Sequence, residues 1–233
     1  MAPVKSYNNW NSRKGDEEIQ IEPYRKYFFI CEGANTETWY FMKLIDIKKS
    51  LNINPIIDIR LLEKTEEDKD ISFPRNLIDF AEAQKDNIEL AFDKERDKMV
   101  VVFDADIFES RVDGYEDLIA SNTNGNILAV SNPAFELFLL LHCKGAYEEY
   151  ILPNEAEIIG NKKVGKHRFI HKLVSELTGM NSKTNPQIGE LARQIDIAIL
   201  QEKKINQDIC EASGKITCNI GNIIESIRMD NGN

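Results

Sequence analysis

The chain has 233 residues, of which 42% are hydrophobic and 29% charged. This balance suits a globular protein of one large domain, or of a core with a smaller partner, and no stretch nears the roughly 18–20 consecutive apolar residues of a membrane span. The net charge of −10 argues against a nucleic-acid partner until the chain is divided: residues 1–143 carry 17 Lys and Arg against 27 Asp and Glu, whereas residues 144–233 carry 12 of each.

Residues 1–25 are polar and read as an irregular lead-in, with Ile19 and Ile21 as candidates for a short strand. Met1 to Asp16 has no apolar signal-peptide core, so a cytoplasmic address is expected. Residues 26–32 read as a first buried strand, followed by a helix from about Thr36 to Ser50 whose Trp39, Phe41, Met42, Leu44 and Ile45 form an apolar face. Pro55 to Leu62 is the second strand, Glu63 to Asp70 a charged loop, and Pro74 to Lys94 a long helix. Lys98 to Asp104 is the third strand, Tyr115 to Ser121 a short helix, and Asn126 to Ser131 the fourth strand. Asn132-Pro133 then opens an apolar helix to His142, with proline placed in its first turn. After Tyr150 strand signals fade, and helical patterns cover 166–177, 187–201 and 218–228.

Alternation of strands and helices predicts an α/β fold: a parallel four-stranded sheet flanked by helices, with a C-terminal helical appendage. The expected divisions are a lead-in at 1–25, a core at 26–143 and a helical region at 144–233. Cys31, Cys143, Cys210 and Cys218 show no C-x-x-C spacing, which favours reduced thiols over zinc or disulfides.

The chemistry gathers at strand ends, where open parallel sheets place their functional crevice. Cys31-Glu32-Gly33 ends the first strand, and Gly33 would let the chain turn closely there. Asn35 or Thr36 is placed to cap the next helix, with Glu37 in its first turn. Asp104-Ala105-Asp106 directly follows Val100 to Phe103, so its two carboxylates leave the strand near one rim. Glu136 sits at the start of the helix after strand four, either as a further ligand or as a helix-terminus acid. Carboxylates gathered this way repel one another unless a cation lies among them, and hard oxygens suit Mg²⁺ or Mn²⁺.

The basic run Lys162, Lys163, Lys166, His167, Arg168, His171 and Lys172 is the candidate grip on a phosphate backbone, or else a solvated helix face. His167 and His171 lie four apart, but the residues between them lack the glutamate of a zinc-protease motif. Asp-x-Asp also opens the haloacid-dehalogenase phosphatases, yet here it follows the third strand rather than the first. A dinucleotide site lacks its G-x-G-x-x-G.

Cys-Glu-Gly-x-x-Thr-Glu, then Val-Phe-Asp-x-Asp, then Ser-Asn-Pro-x-Phe-Glu-Leu-Phe-Leu-Leu-Leu-His together resemble the RloB-like family, which includes abortive-infection proteins of the AbiLii type. The resemblance covers about 26–143, and Asn219 to Ile227 is similar to the family's C-terminal helix start. It implies a Toprim-like (topoisomerase–primase) core in which Glu32, Asp104 and Asp106 bind Mg²⁺ and Glu32 exchanges protons, with Glu37 and Glu136 in support. The family pattern often follows Asp-x-Asp with another acid and a histidine, where this chain has Ile107-Phe108. An ATPase partner subunit is implied by the resemblance alone.

The leading expectation is a Mg²⁺-dependent nuclease acting on RNA or DNA in antiphage defence, with Lys162, Lys163, Lys166, Arg168 and Lys172 on the backbone. The alternatives are a regulatory or toxin subunit active only in a complex, and a phosphatase of small phosphoesters. Homo-oligomerisation is left open.

Overall fold

The computed structural model describes residues 5–7, 23–64, 71, 73–106 and 114–232. Its sheet has six strands: β1 (Lys5–Tyr7), β2 (Arg25–Cys31), β3 (Ile57–Glu63), β4 (Lys98–Asp104), β5 (Ile127–Asn132) and, late in the chain, Thr217–Cys218. Their spatial order is β1-β3-β2-β4-β5 and then the Thr217–Cys218 strand. The four central strands are mutually parallel and both edge strands antiparallel. The expected four parallel strands are therefore the middle of a larger mixed sheet. The edge strands span only two or three residues, too short to show a period-two pattern. The candidate strand at Ile19 and Ile21, most of the 63–70 loop and Ile107-Phe108 lie outside the described residues.

Helices cover both faces because the central strands are apolar on both sides. Along β2, Tyr27, Phe29 and Cys31 enter one core while Phe28 and Ile30 enter the other. Along β4, Val100 and Val102 alternate in the same way with Met99, Val101 and Phe103. Helices α1 (Thr36–Asp46), α2 (Pro74–Gln84), α3 (Tyr115–Ser121) and α4 (Glu136–Leu141) follow β2, β3, β4 and β5 in turn. α2 and α3 pack on the Phe28 side, α1 and α4 on the Phe29 side. The Phe29 core also contains residues of α5 (Glu155–Gly160), α6 (Phe169–Thr178), α7 (Ile195–Glu202) and α8 (Ile220–Met229).

Several boundaries differ from expectation. α1 gives way to a 3-10 turn at Lys48–Leu51, and α2 stops at Gln84, well before Lys94. Pro133 stands before α4 rather than in its first turn, after a cis peptide bond from Asn132. Residues 166–168 are not the start of a helix. They belong to a hairpin of β6 (Lys163–Val164) and β7 (His167–Arg168), turned by Gly165 at φ +69°. The thin strand Thr217–Cys218 is accordingly β8.

Candidate metal and nucleic-acid site

Parallel pairing carries the ends of β2, β4 and β5 to one lip, with Cys31 opposite Val102 and Asp104 opposite Ser131. One residue beyond β2, the Glu32 amide still donates to Val102 at 2.9 Å. The Glu32 carboxylate turns across and accepts from the Asp104 amide at 3.1 Å, although the two residues are 72 apart in the chain. Ser131 Oγ donates to Asp104 Oδ1 at 3.2 Å. The end of β5 also holds the loop after β4, through Ala105 N to Ser131 O at 2.9 Å and Asp106 N to Pro133 O at 3.2 Å.

Glu37 is buried in the first turn of α1. A Cβ on Gly33 would stand 2.1 Å from Glu37 Oε2, so glycine is needed there for room and not for a special backbone angle. Asn35 occupies the N-cap position without a side-chain cap, and Thr36 donates instead to Ser182 O at 2.8 Å. Glu136 is the centre of a buried network. It accepts from Ser182 Oγ at 2.9 Å, pairs with Lys183 Nζ at 2.9 Å and lies 3.6 Å from His171 Nδ1. Because the Ser182 proton points to Glu136, its oxygen lone pair faces His171 Nδ1 at 3.1 Å.

Electrostatics separates these acids. Burial pushes Glu32 up to about 7, reinforced by Glu37 and Asp106 and opposed by the Asp104 amide. Burial also raises Glu37, and raises Asp104 well above the carboxylate range with further repulsion from Glu37, Glu32 and Glu136. Glu136 goes the other way. Burial alone would raise it, but His171, Lys183 and Ser182 together hold it at about 2. The Lys183 ammonium, lowered by burial, is held up on balance by Glu136, Glu37 and Asp104.

A cleft of about 370 Å³ is lined by Asp104, Asp106 and Glu136 together with Lys166, Arg168 and Lys183, while Glu32 and Glu37 are not among its lining residues. A larger hollow of about 670 Å³ lies at the opposite ends of the strands, around Tyr24, Lys26 and Asp97, and contains none of the candidate acids. The structure thus brings Glu32, Asp104, Glu37 and Glu136 to one lip, while Asp106 pairs with Arg168 at 3.5 Å. Among the described residues, no three His, Cys, Asp or Glu side chains already form a metal-ligand group.

On the basic run, Lys162, Lys163 and Lys166 are exposed on or beside the hairpin. Lys172 points instead to Glu176 on α6, at 3.4 Å. The His167 and His171 rings stack 4.6 Å apart, from hairpin to helix rather than along one helix face. Ser182 and Lys183 were not foreseeable: they sit in a short polar loop after Gly179, with no periodicity to mark them. Lys64, whose Nζ donates to the Glu32 carbonyl at 2.6 Å, also lacked any sequence signal.

The fold and the lip define an α/β protein with an acid-lined crevice at the carboxyl ends of its parallel strands. The family model described as RloB-like protein matches residues 27–227, and the chain belongs to that family. No curated protein and no solved structure matches it. Among the described residues, no helix is long and apolar enough to cross a membrane.

Proposed function

We propose that this protein is a divalent-metal-dependent nuclease with a Toprim-like core, hydrolysing phosphodiester bonds of RNA or DNA in abortive-infection defence of the AbiLii type. Membership of the RloB-like family agrees, in general terms, with a nuclease or defence role. The observation that carries the reading is the Glu32–Asp104 hydrogen bond, which gathers two distant acids at one strand-end lip. Buried, mutually repelling carboxylates without a matching set of cations form a donor set of hard oxygens suited to Mg²⁺ or Mn²⁺.

Glu32, Asp104 and Asp106 would hold the ion, with Glu37 and Glu136 behind them. When bound, the ion supplies Lewis acidity toward the phosphoryl oxygens. Glu32, held at the lip by the Asp104 amide, would be the group that takes a proton from attacking water and returns it to the leaving oxygen. Lys183 orients Glu136 and faces the cleft with a positive charge. Lys162, Lys163, Lys166 and Arg168 would position the backbone, with Lys172 further along α6.

Purified protein incubated with DNA, RNA and tRNA, with and without Mg²⁺, tests this. Cleavage should require the ion and vanish in Asp104→Ala and Asp106→Ala; equal activity in those variants rejects the assignment. A second reading, a subunit active only with an ATPase partner, is favoured by one feature. Asp106 and Glu136 are already engaged by Arg168 and Lys183, so assembly with a partner would have to release them. Activity that appears only on adding the partner would decide for it.

A further inference from the structure

Asn161 joins α5 to the basic hairpin and does two structural jobs there. Its backbone ends α5 at φ +35°, a left-handed conformation that asparagine tolerates, with its amide donating to Glu157 O at 2.9 Å. Its Oδ1 accepts from Ile170 N at 3.3 Å in the first turn of α6. Neither job uses Nδ2. With the oxygen claimed by α6, the other edge of the amide is the NH₂ group, and it has no partner among the described residues. The residue is only 2% exposed, yet it lines the cleft together with Lys166 and Arg168. An orphaned buried donor is costly, and native structures seldom keep one without a use.

The groups around it carry positive charge and spare donors. Arg168 engages through Nη1 alone, to Asp106 Oδ2 at 3.5 Å and to Asn161 O at 3.4 Å, which holds the guanidinium against Asn161. Its Nε and Nη2, and the Lys166 Nζ, have no partner among the described residues. An amide nitrogen can only donate, so what satisfies Asn161 is an acceptor, and the charge of its neighbours makes that acceptor an anion. A phosphodiester offers two non-bridging oxygens to such donors, and guanidinium pairs well with them. No existing contact has to break, because the Asp106 contact uses only Nη1.

We propose that Asn161 Nδ2, Arg168 and Lys166 form a subsite for one backbone phosphate of the nucleic acid, at the seam between the hairpin and α6. Asn161, fixed at both ends by helix contacts, determines where that phosphate sits. The exposed lysines of the hairpin supply the general attraction, which carries no register. The subsite rests on the nuclease reading above and adds the residue that registers the substrate in the cleft.

The test replaces the donor and keeps the acceptor. Asn161→Asp retains an oxygen for Ile170 N, so its Tm should match that of the wild type. Binding of fluorescent single-stranded RNA and DNA is measured by anisotropy at fixed salt, in EDTA and in Ca²⁺. The wild type should bind at least one of them, and Asn161→Asp should bind it about tenfold more weakly or worse, the cost of losing a hydrogen bond to a charged group. Asn181→Asp is the matched control. It puts the same charge on the same cleft, keeps its oxygen for Lys183 N, and should stay within about threefold of the wild type. Should Asn161→Asp fail to fold, ¹⁵N spectra of the wild type decide: the Asn161 side-chain NH₂ peaks should shift with oligonucleotide and not with inorganic phosphate at the same phosphate concentration. Undiminished binding in Asn161→Asp, equal losses in it and Asn181→Asp, or NH₂ peaks that stay still with oligonucleotide bound, overturns the subsite and leaves the nuclease reading standing. Peaks that move equally with inorganic phosphate overturn the nucleic-acid assignment in favour of a free-anion site. A wild type that binds neither RNA nor DNA overturns the subsite and the nuclease reading together.

Discussion

The Asp104 amide donates to the Glu32 carboxylate at 3.1 Å, so the main chain at the end of one strand aims an acid from the end of its neighbour. The bond sets direction but does not cancel the repulsion among Glu32, Glu37 and Asp104. The proposed cation site should be strained without its ion, as functional sites often are.

Asp104→Asn should therefore be more stable than the wild type in EDTA, increasingly so as pH rises and the buried Asp104 carboxyl is made to ionise, because an amide still accepts from Ser131 and never ionises. A gain of about 2–4 °C in Tm is expected, the response of a domain this size to about 1 kcal/mol. The same variant should lose divalent-dependent cleavage by about 100-fold or more, and Mg²⁺ should no longer raise its Tm. The pH dependence has a defined sign. The Glu32 pKa in the folded protein, about 7, exceeds its ordinary 4.5, so folding favours the protonated acid. Its contribution is complete below about pH 4.5 and lost as pH rises toward 7. Thermal melts of Glu32→Gln and wild type in EDTA should diverge across that window, with the variant less sensitive to rising pH.

Glu136 should behave in the opposite way. It is held as an anion at about 2 by three donors, so its contribution is present above pH 4.5 and lost as pH falls toward 2. Glu136→Gln removes the charge facing Lys183 and disturbs the Ser182–His171 link. We expect a loss of about 2–3 kcal/mol by urea unfolding, below the usual cost of breaking a buried pair because Lys183 is half-exposed and can rehydrate. Two acids on one cleft would then give stability changes of opposite sign.

His142 is fully packed beneath the sheet. Tyr40 Oη lies 2.9 Å from its Nε2 and Phe138 O lies 2.8 Å from its Nδ1, which fixes a neutral ring donating from Nδ1. Burial lowers its pKa to about 4. The unfolded chain binds the proton from about pH 6.5 downward, so stability falls by about 1.4 kcal/mol per pH unit between 6.5 and 4 from this group. Tyr40→Phe should cost about 1–3 kcal/mol through the orphaned ring nitrogen. His142→Gln should flatten the acid-side slope in urea titrations taken over that range.

Glu202 caps α8 from a neighbouring helix, accepting from Gly221 N at 2.8 Å and Asn222 N at 2.7 Å. A Cβ on Gly221 would meet Glu202 Oε2 at 2.8 Å. Glu202→Ala should cost about 2–3 kcal/mol by leaving helix-start amides buried without an acceptor. Gly221→Ala should also destabilise. Combining the two should cost less than their sum, because the alanine methyl then enters the vacated space; strict additivity in a double-mutant cycle would refute the shared contact.

Residues 98–104 illustrate what was legible in advance. A run of Met99, Val100, Val101, Val102 and Phe103 is apolar on both faces and leaves only a central strand as its home, with Asp104 at the rim. β4 and α3 accordingly fall where expected, and the other central strands shift by only one or two residues. The edge strands were hidden because two or three residues carry no pattern, and the hairpin because its Lys-Val-Gly-Lys-His-Arg run borders a real helical periodicity.

Local chemistry in the chain determined which acids stand at strand ends, since hydrophobic runs dictate where strands stop. Only the tertiary structure decided what those acids face. Ser182, Lys183 and His171 reach Glu136 from 35 to 47 positions away, as Arg168 reaches Asp106 from the hairpin. Such pairings depend on how α6 and the loop after it pack against the sheet, a matter of long-range burial that no short window of residues encodes.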